Sequence, residues 1–468
     1  MKRPERKKIL VTGGAGLIGA NLCRYLIKEG NEVLCLDNLQ TGSIQNIREL
    51  LENEQFHFLQ KDITMPLDMA VDEIYHLACP ASPQHYQEDP IRTAKTNFEG
   101  ALTVLELARK TKAKVLFTST SEVYGEPLQH PQTECYRGNV NPIGIRACYD
   151  EGKRIAETLF FDYHRKYNVD IRVARLFNTY GPFLDPQDGR VISNFIISAL
   201  NDTDLMLYGD GTQTRCFCYV DDTIEALIRL MNRTSFPGPM NIGNPQEITV
   251  RELAEIIRRL TGTKGGIQQC ALPGDDPTRR CPDISLAKKE LDWEPKITLE
   301  EGLTKTIAYF KERQEEINTE TDGSNYGIGL VMGVFDLLHI GHLKLIQQAR
   351  ARCGYLRVAV LSDELVEKYK GRLPVIPLEE RMEILSNMKE VDEVICITDN
   401  PSRIVEWNRR PFDCFFSGDD YRENEYWKWE KIELKKLGAD VVFFPYTESQ
   451  STTKILKKIE TNGLYPNP

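Results

Sequence analysis

The chain has 468 residues, room for about three domains at ~150 residues each. Hydrophobic residues make up 41% and charged residues 27%, and 59 basic against 69 acidic side chains leave a net charge of -10. This composition excludes a disordered or fibrous chain. With no apolar run near ~18–20 residues and no basic block, neither a membrane nor a nucleic acid is expected as a partner. The basic start MKRPERKK lacks the apolar stretch of a signal peptide, so a cytoplasmic location is expected.

In chain order, KKILVTG predicts a buried strand, then a glycine turn, then a helix through NLCRYLIKEG that stops at Gly30. NEVLCLDN, VDEIYHLA and AKVLFTSTS predict further strands. Short apolar runs between helical patterns indicate parallel βα units with both sheet faces covered. Gly13, Gly14, Gly16 and Gly19 lie in the turn between the first strand and the first helix. There, glycine lets backbone approach a pyrophosphate, and the helix start offers unpaired N–H groups. Asp37, about 20 residues on at the end of the next strand, suits ribose hydroxyls and disfavours a 2′-phosphate. A glycine turn alone is also compatible with a purely structural role. Thr120, Ser121 and Glu122 end a later strand, at the sheet edge where α/β folds place ligands. Tyr149 and Lys153 stand i and i+4 on a helical pattern, YDEGKRIAETLFF. An ammonium beside a phenol lowers its pKa, although such spacing also occurs on ordinary helix surfaces.

The pattern continues to KTIAYFKERQEE, after which the polar, aperiodic stretch 316–326 predicts a linker. A second cycle follows, with strands in IGLVMGVF, YLRVAVLSD, VDEVICI, FDCFFSGDD and ADVVFFPY. His339 and His342 form His-x-Gly-His at a strand-to-helix turn, an arrangement that can stabilise a phosphorus under attack or simply cap a helix. Trp427 and Trp429 predict packing. The twelve cysteines show no metal-ligand spacing. Cys216 and Cys218 are expected to share a strand face as reduced thiols, and no metal site is expected. The expected fold is α/β: two Rossmann-like, doubly wound parallel-sheet domains in tandem, 1–315 and 327–468.

VTGGAGLIG, YHLACPASP, TSTSEVYGE, NPIGIRACYDEGKR, RLFNTYGP, DGRVISNFI, YGDGTQTRCFCYVDD and RRCPDI together resemble the extended short-chain dehydrogenase/reductase family. Within it they resemble the UDP-glucuronate decarboxylases. The resemblance implies NAD, held by Gly13, Gly16, Leu17, Ile18, Gly19, Asp37, Asn38, Thr41, Asp62, Ile63, Leu77, Thr96, Tyr149 and Lys153. It implies Thr120, Glu122, Tyr149, Lys153 and Arg280 as the catalytic set. UDP-glucuronate would meet Lys95, Asn178, Arg190, Asn194, Arg215 and Arg280, and His76, His85 and His164 are further candidates for the cleft. The 4,6-dehydratase relatives carry Asp where Ser121 stands, and simple 4-epimerases lack the Glu122–Arg280 pair.

GVFDLLHIGHLKL, SDELVEKYKG, EERMEIL, VDEVI, SGDDY and STTKI resemble the cytidylyltransferases, with the glycerol-3-phosphate enzymes most similar. This implies CTP with Mg²⁺ and a phosphorylated alcohol as acceptor, with His339, His342 and Lys370 in the chemistry. Asp336, Arg381, Ser451, Thr452 and Thr453 would contact substrate. The glycerol-phosphate enzymes carry arginine where Tyr446 stands, which leaves the acceptor open. Both families imply a homodimer or larger assembly. The alternative reading is another NAD-dependent UDP-sugar enzyme fused to a non-catalytic nucleotide-sensing domain.

Overall fold

The computed structural model describes residues 6–186, 188–270, 279–321, 326–418 and 425–444, without the side chains of 315–321, 425–428 and 432. The chain divides into two compact units, Met1–Gln314 and Glu315–Pro468.

The first unit is built on seven parallel strands: β1 (Lys8–Thr12), β2 (Glu32–Asp37), β3 (Phe56–Gln60), β4 (Glu73–His76), β5 (Lys114–Thr120), β6 (Ile171–Leu176) and β7 (Met240–Ile242). Their order is β7-β6-β5-β4-β1-β2-β3, so the winding reverses between β1 and β4. Ligand crevices open at such a reversal, beyond the carboxyl ends of the strands. Strand burial is nearly continuous, as sheets covered on both faces require: Ile9, Leu10 and Val11 of β1 are each at most 1% exposed. One core layer runs from Val11, Leu22 and Val33 to Leu227 and Phe310. The other packs Leu10, Ile74, Val115 and Val173 under Val104 and Phe160.

The second unit carries five parallel strands: β8 (Tyr326–Gly333), β9 (Cys353–Leu361), β10 (Glu393–Ile397), β11 (Cys414–Gly418) and β12 (Asp440–Phe444). Their order is β10-β9-β8-β11-β12, a second doubly wound sheet. Two expectations change. The helix Leu299–Thr321 runs into the predicted linker, because polar residues without Gly or Pro end an apolar stripe without ending a helix. Trp429, expected to pack, leaves 50% of its surface exposed. Among the described residues, no helix is long and apolar enough to cross a membrane.

Candidate active sites

The glycine turn is shaped by the backbone itself. Gly13 is left-handed (φ 69°), and a Cβ on Gly19 would lie 2.1 Å from the Gly13 carbonyl oxygen. Any side chain there would push the helix Leu17–Lys28 off the turn. Gly16 caps that helix without a side-chain bond. The capping N–H groups that serine or aspartate would otherwise satisfy are left for a ligand. Asp37, at the end of β2, accepts from the N–H of Ala15 (2.9 Å) and of Leu39 (2.8 Å). Burial pushes its carboxyl up, and these bonds oppose it. Asn38 donates to Asp62 at 3.1 Å. Leu77 follows β4, and its N–H meets the Thr12 carbonyl at 3.1 Å. Thr41 is half-buried and Thr96 buried, while Lys95 is exposed. The Ile63 side chain belongs to the core.

The second cluster sits at the carboxyl end of β5. Tyr149, on the helix Ala147–Tyr167, is 6% exposed and stacks on Tyr86 with ring centroids 4.9 Å apart. Burial holds its phenol well above the ordinary value, and a bond with Thr120 pulls the other way. Lys153 donates to the Thr118 carbonyl at 3.0 Å, with its nitrogen 5.8 Å from the Tyr149 ring centre. Burial lowers the pKa of this lysine. Burial is thus the largest influence on the phenol, and Lys153 lies near enough to its ring to act against it.

Glu122 lies between two arginines. Arg146 donates to it at 2.7 Å, and Arg280 approaches it at 3.1 Å. Burial raises the carboxyl, but the charges of Arg280, Arg146 and Arg215 outweigh it, so Glu122 is held ionised. Arg280 is 3% exposed and also donates to Ser121 Oγ (3.2 Å) and the Gly125 carbonyl (3.0 Å). Its Nε is buried without a partner. Of the expected sugar contacts, Arg215 joins this charge cluster. Arg190 pairs with Asp188, while Asn194 is exposed one turn into the helix Val191–Leu200. Asn178 is half-buried after β6. His76 does not line a cleft: it is 2% exposed, stacked on Phe117 and bonded to Thr12 Oγ1 at 2.8 Å. His85 bonds Ser82, and His164 the Val169 carbonyl.

Sequence reasoning missed Arg146, Tyr86 and Asp150. Arg146 and Asp150 stand i and i+4 on the face that carries Tyr149, a spacing that could have pointed to them. Burial, then the charge of Glu122, pushes the Asp150 carboxyl up to about 7, and its Oδ1 has no partner. An unfolded aspartate titrates near ~3.9, so between that pH and about 7 the folded state binds the extra proton. Stability thus falls as pH rises through this window. Asp150→Asn removes the slope. The variant is expected to be more stable than the wild type at pH 8, with the advantage shrinking toward pH 4. An equal gap at both ends, in urea titrations of the first unit, would refute this.

In the second unit the two histidines meet after β8. Phe335 and Leu337 are left-handed (φ 57° and 46°), a strained turn on either side of Asp336. The His339 and His342 rings stack with centroids 3.8 Å apart. His339 Nδ1 accepts the Gly341 N–H at 3.1 Å and caps the helix Ile340–Arg350. Accepting there fixes the tautomer of a neutral ring, with Nε2–H as donor. Burial lowers the pKa of His339. His342 is pulled down to about 4, by burial first and then by His339, and the nearby charge of Lys370 adds to this. Its Nδ1 is buried and unpartnered.

Two expected nucleotide contacts are instead used by the fold. Arg381 is 1% exposed and donates to the carbonyls of Val334, Leu361 and Ile376 and to Asp363. Asp336 accepts from the N–H groups of Val375 and Ile376 at 3.0–3.1 Å. Both residues tie the 375–376 segment to the histidine turn. Ser451, Thr452, Thr453 and Tyr446 lie outside the described residues.

Residues 10–306 match the GDP-mannose 4,6 dehydratase family, the extended short-chain dehydrogenase/reductase pattern. The chain belongs to this family. Residues 330–458 match the cytidylyltransferase-like family, so the chain carries a second, cytidylyltransferase-like domain. UDP-glucuronic acid decarboxylase 6 of Arabidopsis thaliana is 54% identical over 297 residues, covering 63% of this chain and 86% of the plant protein. UDP-glucuronic acid decarboxylase 1 of Xenopus tropicalis is 49% identical over 321 residues, covering 68% of this chain and 76% of the frog protein. Among solved structures, a Thermotoga maritima UDP-glucose 4-epimerase with UDP-glucose aligns at TM-score 0.61 and 31% identity, over 66% of this chain and 99% of its own. A Bacillus cereus UDP-glucuronic acid 4-epimerase, in complex with UDP-glucuronic acid and NAD, aligns at 0.59 and 29%, over 65% and 99%.

Proposed function

We propose that the first unit decarboxylates UDP-glucuronate to UDP-xylose by way of UDP-4-keto-pentose, with NAD as a recycled cofactor. The observation that carries this is Glu122, ionised between Arg280 and Arg146 beside Tyr149. Three guanidiniums against one ionised carboxylate leave a net positive pocket for a second, substrate carboxylate. The glycine turn, the helix start left without a side-chain cap at Gly16, and Asp37 at the end of β2 fit a dinucleotide. NAD bound there supplies a hydride acceptor for C4 and returns the hydride.

The chain's own residues do the rest. Tyr149 takes the proton of the C4 hydroxyl, and Thr120 steadies the phenolate oxygen. Lys153 keeps its positive charge near the ring. With C4 a ketone, the C5–C6 bond breaks, carbon dioxide leaves, and the electron pair moves into the C4 carbonyl as an enolate. Arg280 holds the carboxylate before this step and the developing negative charge after it. C5 then takes a proton. The Ser121 hydroxyl is far too weak an acid to expel a C6 hydroxyl, where a carboxylic acid at that position could.

The test is to incubate the full chain with UDP-glucuronate and follow carbon dioxide and NADH together. Carbon dioxide is expected at many turnovers with no matching NADH. One NADH per carbon dioxide, with the 4-keto pentose as end product, would overturn the redox-neutral version.

For the second unit we infer CTP-dependent cytidylyl transfer to a small phosphorylated alcohol, such as glycerol-3-phosphate, with Mg²⁺ on the triphosphate. Two neutral imidazoles at a helix start support it: they donate to phosphate oxygens without holding the pyrophosphate too tightly to leave. Lys370 supplies a charge near His342. Assembly as a homodimer or larger is part of the same reading.

A further inference from the structure

We infer that His130, Glu247 and Cys281 form a binding site for a divalent cation, zinc foremost. The ligand atoms of the three residues all lie within 4.8 Å of one another. One imidazole, one carboxylate and one thiol make a donor set suited to zinc, with the fourth tetrahedral position left to water.

The fold gathers these groups by strand register. The segment Thr214–Cys216 pairs antiparallel with Glu247–Thr249, which sets Glu247 opposite Cys216. On its other side, Thr214 bridges Arg279 in parallel, and the same register two residues on brings Cys216 beside Cys281. Alternation along each strand then puts Glu247, Cys216 and Cys281 in a row on one face. The intervening Arg215 and Arg280 fall on the opposite face, where Arg280 reaches Ser121 and Glu122.

The surroundings suit a cation. His130 Nε2 already meets a Glu247 oxygen at 2.9 Å, and the other oxygen of Glu247 accepts from Thr214 Oγ1 at 2.6 Å. That second bond fixes the carboxylate as an outer-shell partner does. The Cys281 N–H is held by Gln132 Oε1 at 2.9 Å. The His130 and Glu247 side chains are 30% and 25% exposed, so they form the entry, and the buried Cys281 forms the floor. Arg279 lies close enough to influence Glu247 and Cys281, but it is exposed and free to swing into water. On binding, the Cys281 thiol gives its proton to solvent, the imidazole stays neutral, and no electron is transferred. The bound cation would tie together the two segments whose reverse faces carry Arg215 and Arg280.

The full chain, purified with a thiol reductant in metal-free buffer, would be loaded with Zn²⁺ or Co²⁺ and dialysed. About one cation per chain is expected to remain, and the cobalt form should show a thiolate-to-cobalt charge-transfer band. Cys281→Ser should abolish that band, and His130→Gln, at an exposed position, should weaken zinc binding by about 100-fold. Circular dichroism of both variants separates lost ligation from lost folding. Three results would overturn the site: no charge-transfer band in the wild type, an unchanged band in folded Cys281→Ser, or a Cys216–Cys281 disulfide in protein isolated without oxidant.

Discussion

Tyr149→Phe is expected to lower kcat for carbon dioxide release from UDP-glucuronate by about 100-fold or more, the usual worth of a positioned acid–base group. The substitution removes one oxygen and leaves the ring. That ring packs face to face on Tyr86 at 4.9 Å, so the helix Ala147–Tyr167 and the cleft wall should survive intact. Binding of UDP, measured by calorimetry, should therefore change by less than about threefold, and the loss should fall on kcat rather than on affinity. The pH profile adds a second readout. The phenol is held well above its ordinary value by burial, and Lys153, whose own charge burial disfavours, bonds a backbone carbonyl. The rate should thus rise with pH over the range where tyrosinate forms, and Lys153→Met should move that rise to higher pH by removing a cation 5.8 Å from the ring centre. Near-normal turnover in Tyr149→Phe would remove Tyr149 from the chemistry.

Much of this framework was legible from the chain because it rests on local pattern. The run around Gly13 and Gly19, Asp37 at the end of β2, and the apolar strand runs are dictated by steric fit and by two-sided burial. Arg280 is a different case. It is 158 residues from Glu122, and only the resemblance, not any spacing, joined them. The burial of Arg381 was not foreseen because a motif gives a residue type and not the direction of its side chain. Its neighbours carried the signal: Leu378, Arg381, Met382 and Leu385 recur at helical spacing, and Arg381 and Leu385 are the buried members of that helix. A guanidinium on a buried stripe is more readily explained as a tie between backbone carbonyls than as a ligand. Asp150 and Arg146 were legible only in part: their spacing places them on the face of Tyr149, but their character comes from burial and from the field of Glu122, which the linear sequence does not contain. Cys216 and Cys218 were expected to share one strand face, yet they stand on two separate strands, Thr214–Cys216 and Cys218–Tyr219, with Phe217 between them.

His339→Ala is expected to abolish pyrophosphate release from CTP while leaving decarboxylation unchanged, because the two sites lie in separate compact units. Alanine removes two things at once. One is the Nε2–H that would donate to the triphosphate. The other is the helix cap, since Nδ1 accepts the Gly341 N–H at 3.1 Å. Losing an N-cap costs about 1 kcal/mol, enough to loosen the start of the helix Ile340–Arg350 and blur the interpretation. Asparagine separates the two, because its side-chain oxygen is among the best N-caps but it offers no imidazole. His339→Asn should keep the stability of the second unit, while His339→Ala lowers it by about 1 kcal/mol. Both should lose about 100-fold or more in cytidylyl transfer, since stabilisation of the leaving pyrophosphate goes with the ring in each. Recovery of activity in His339→Asn would show that the residue only caps the helix. Full pyrophosphate release in both variants, with CTP and glycerol-3-phosphate, would place the phosphate-binding chemistry elsewhere in the unit. If the wild type releases no pyrophosphate with any phosphorylated alcohol, the second unit is a binding module, and His339 holds a nucleotide without turning it over.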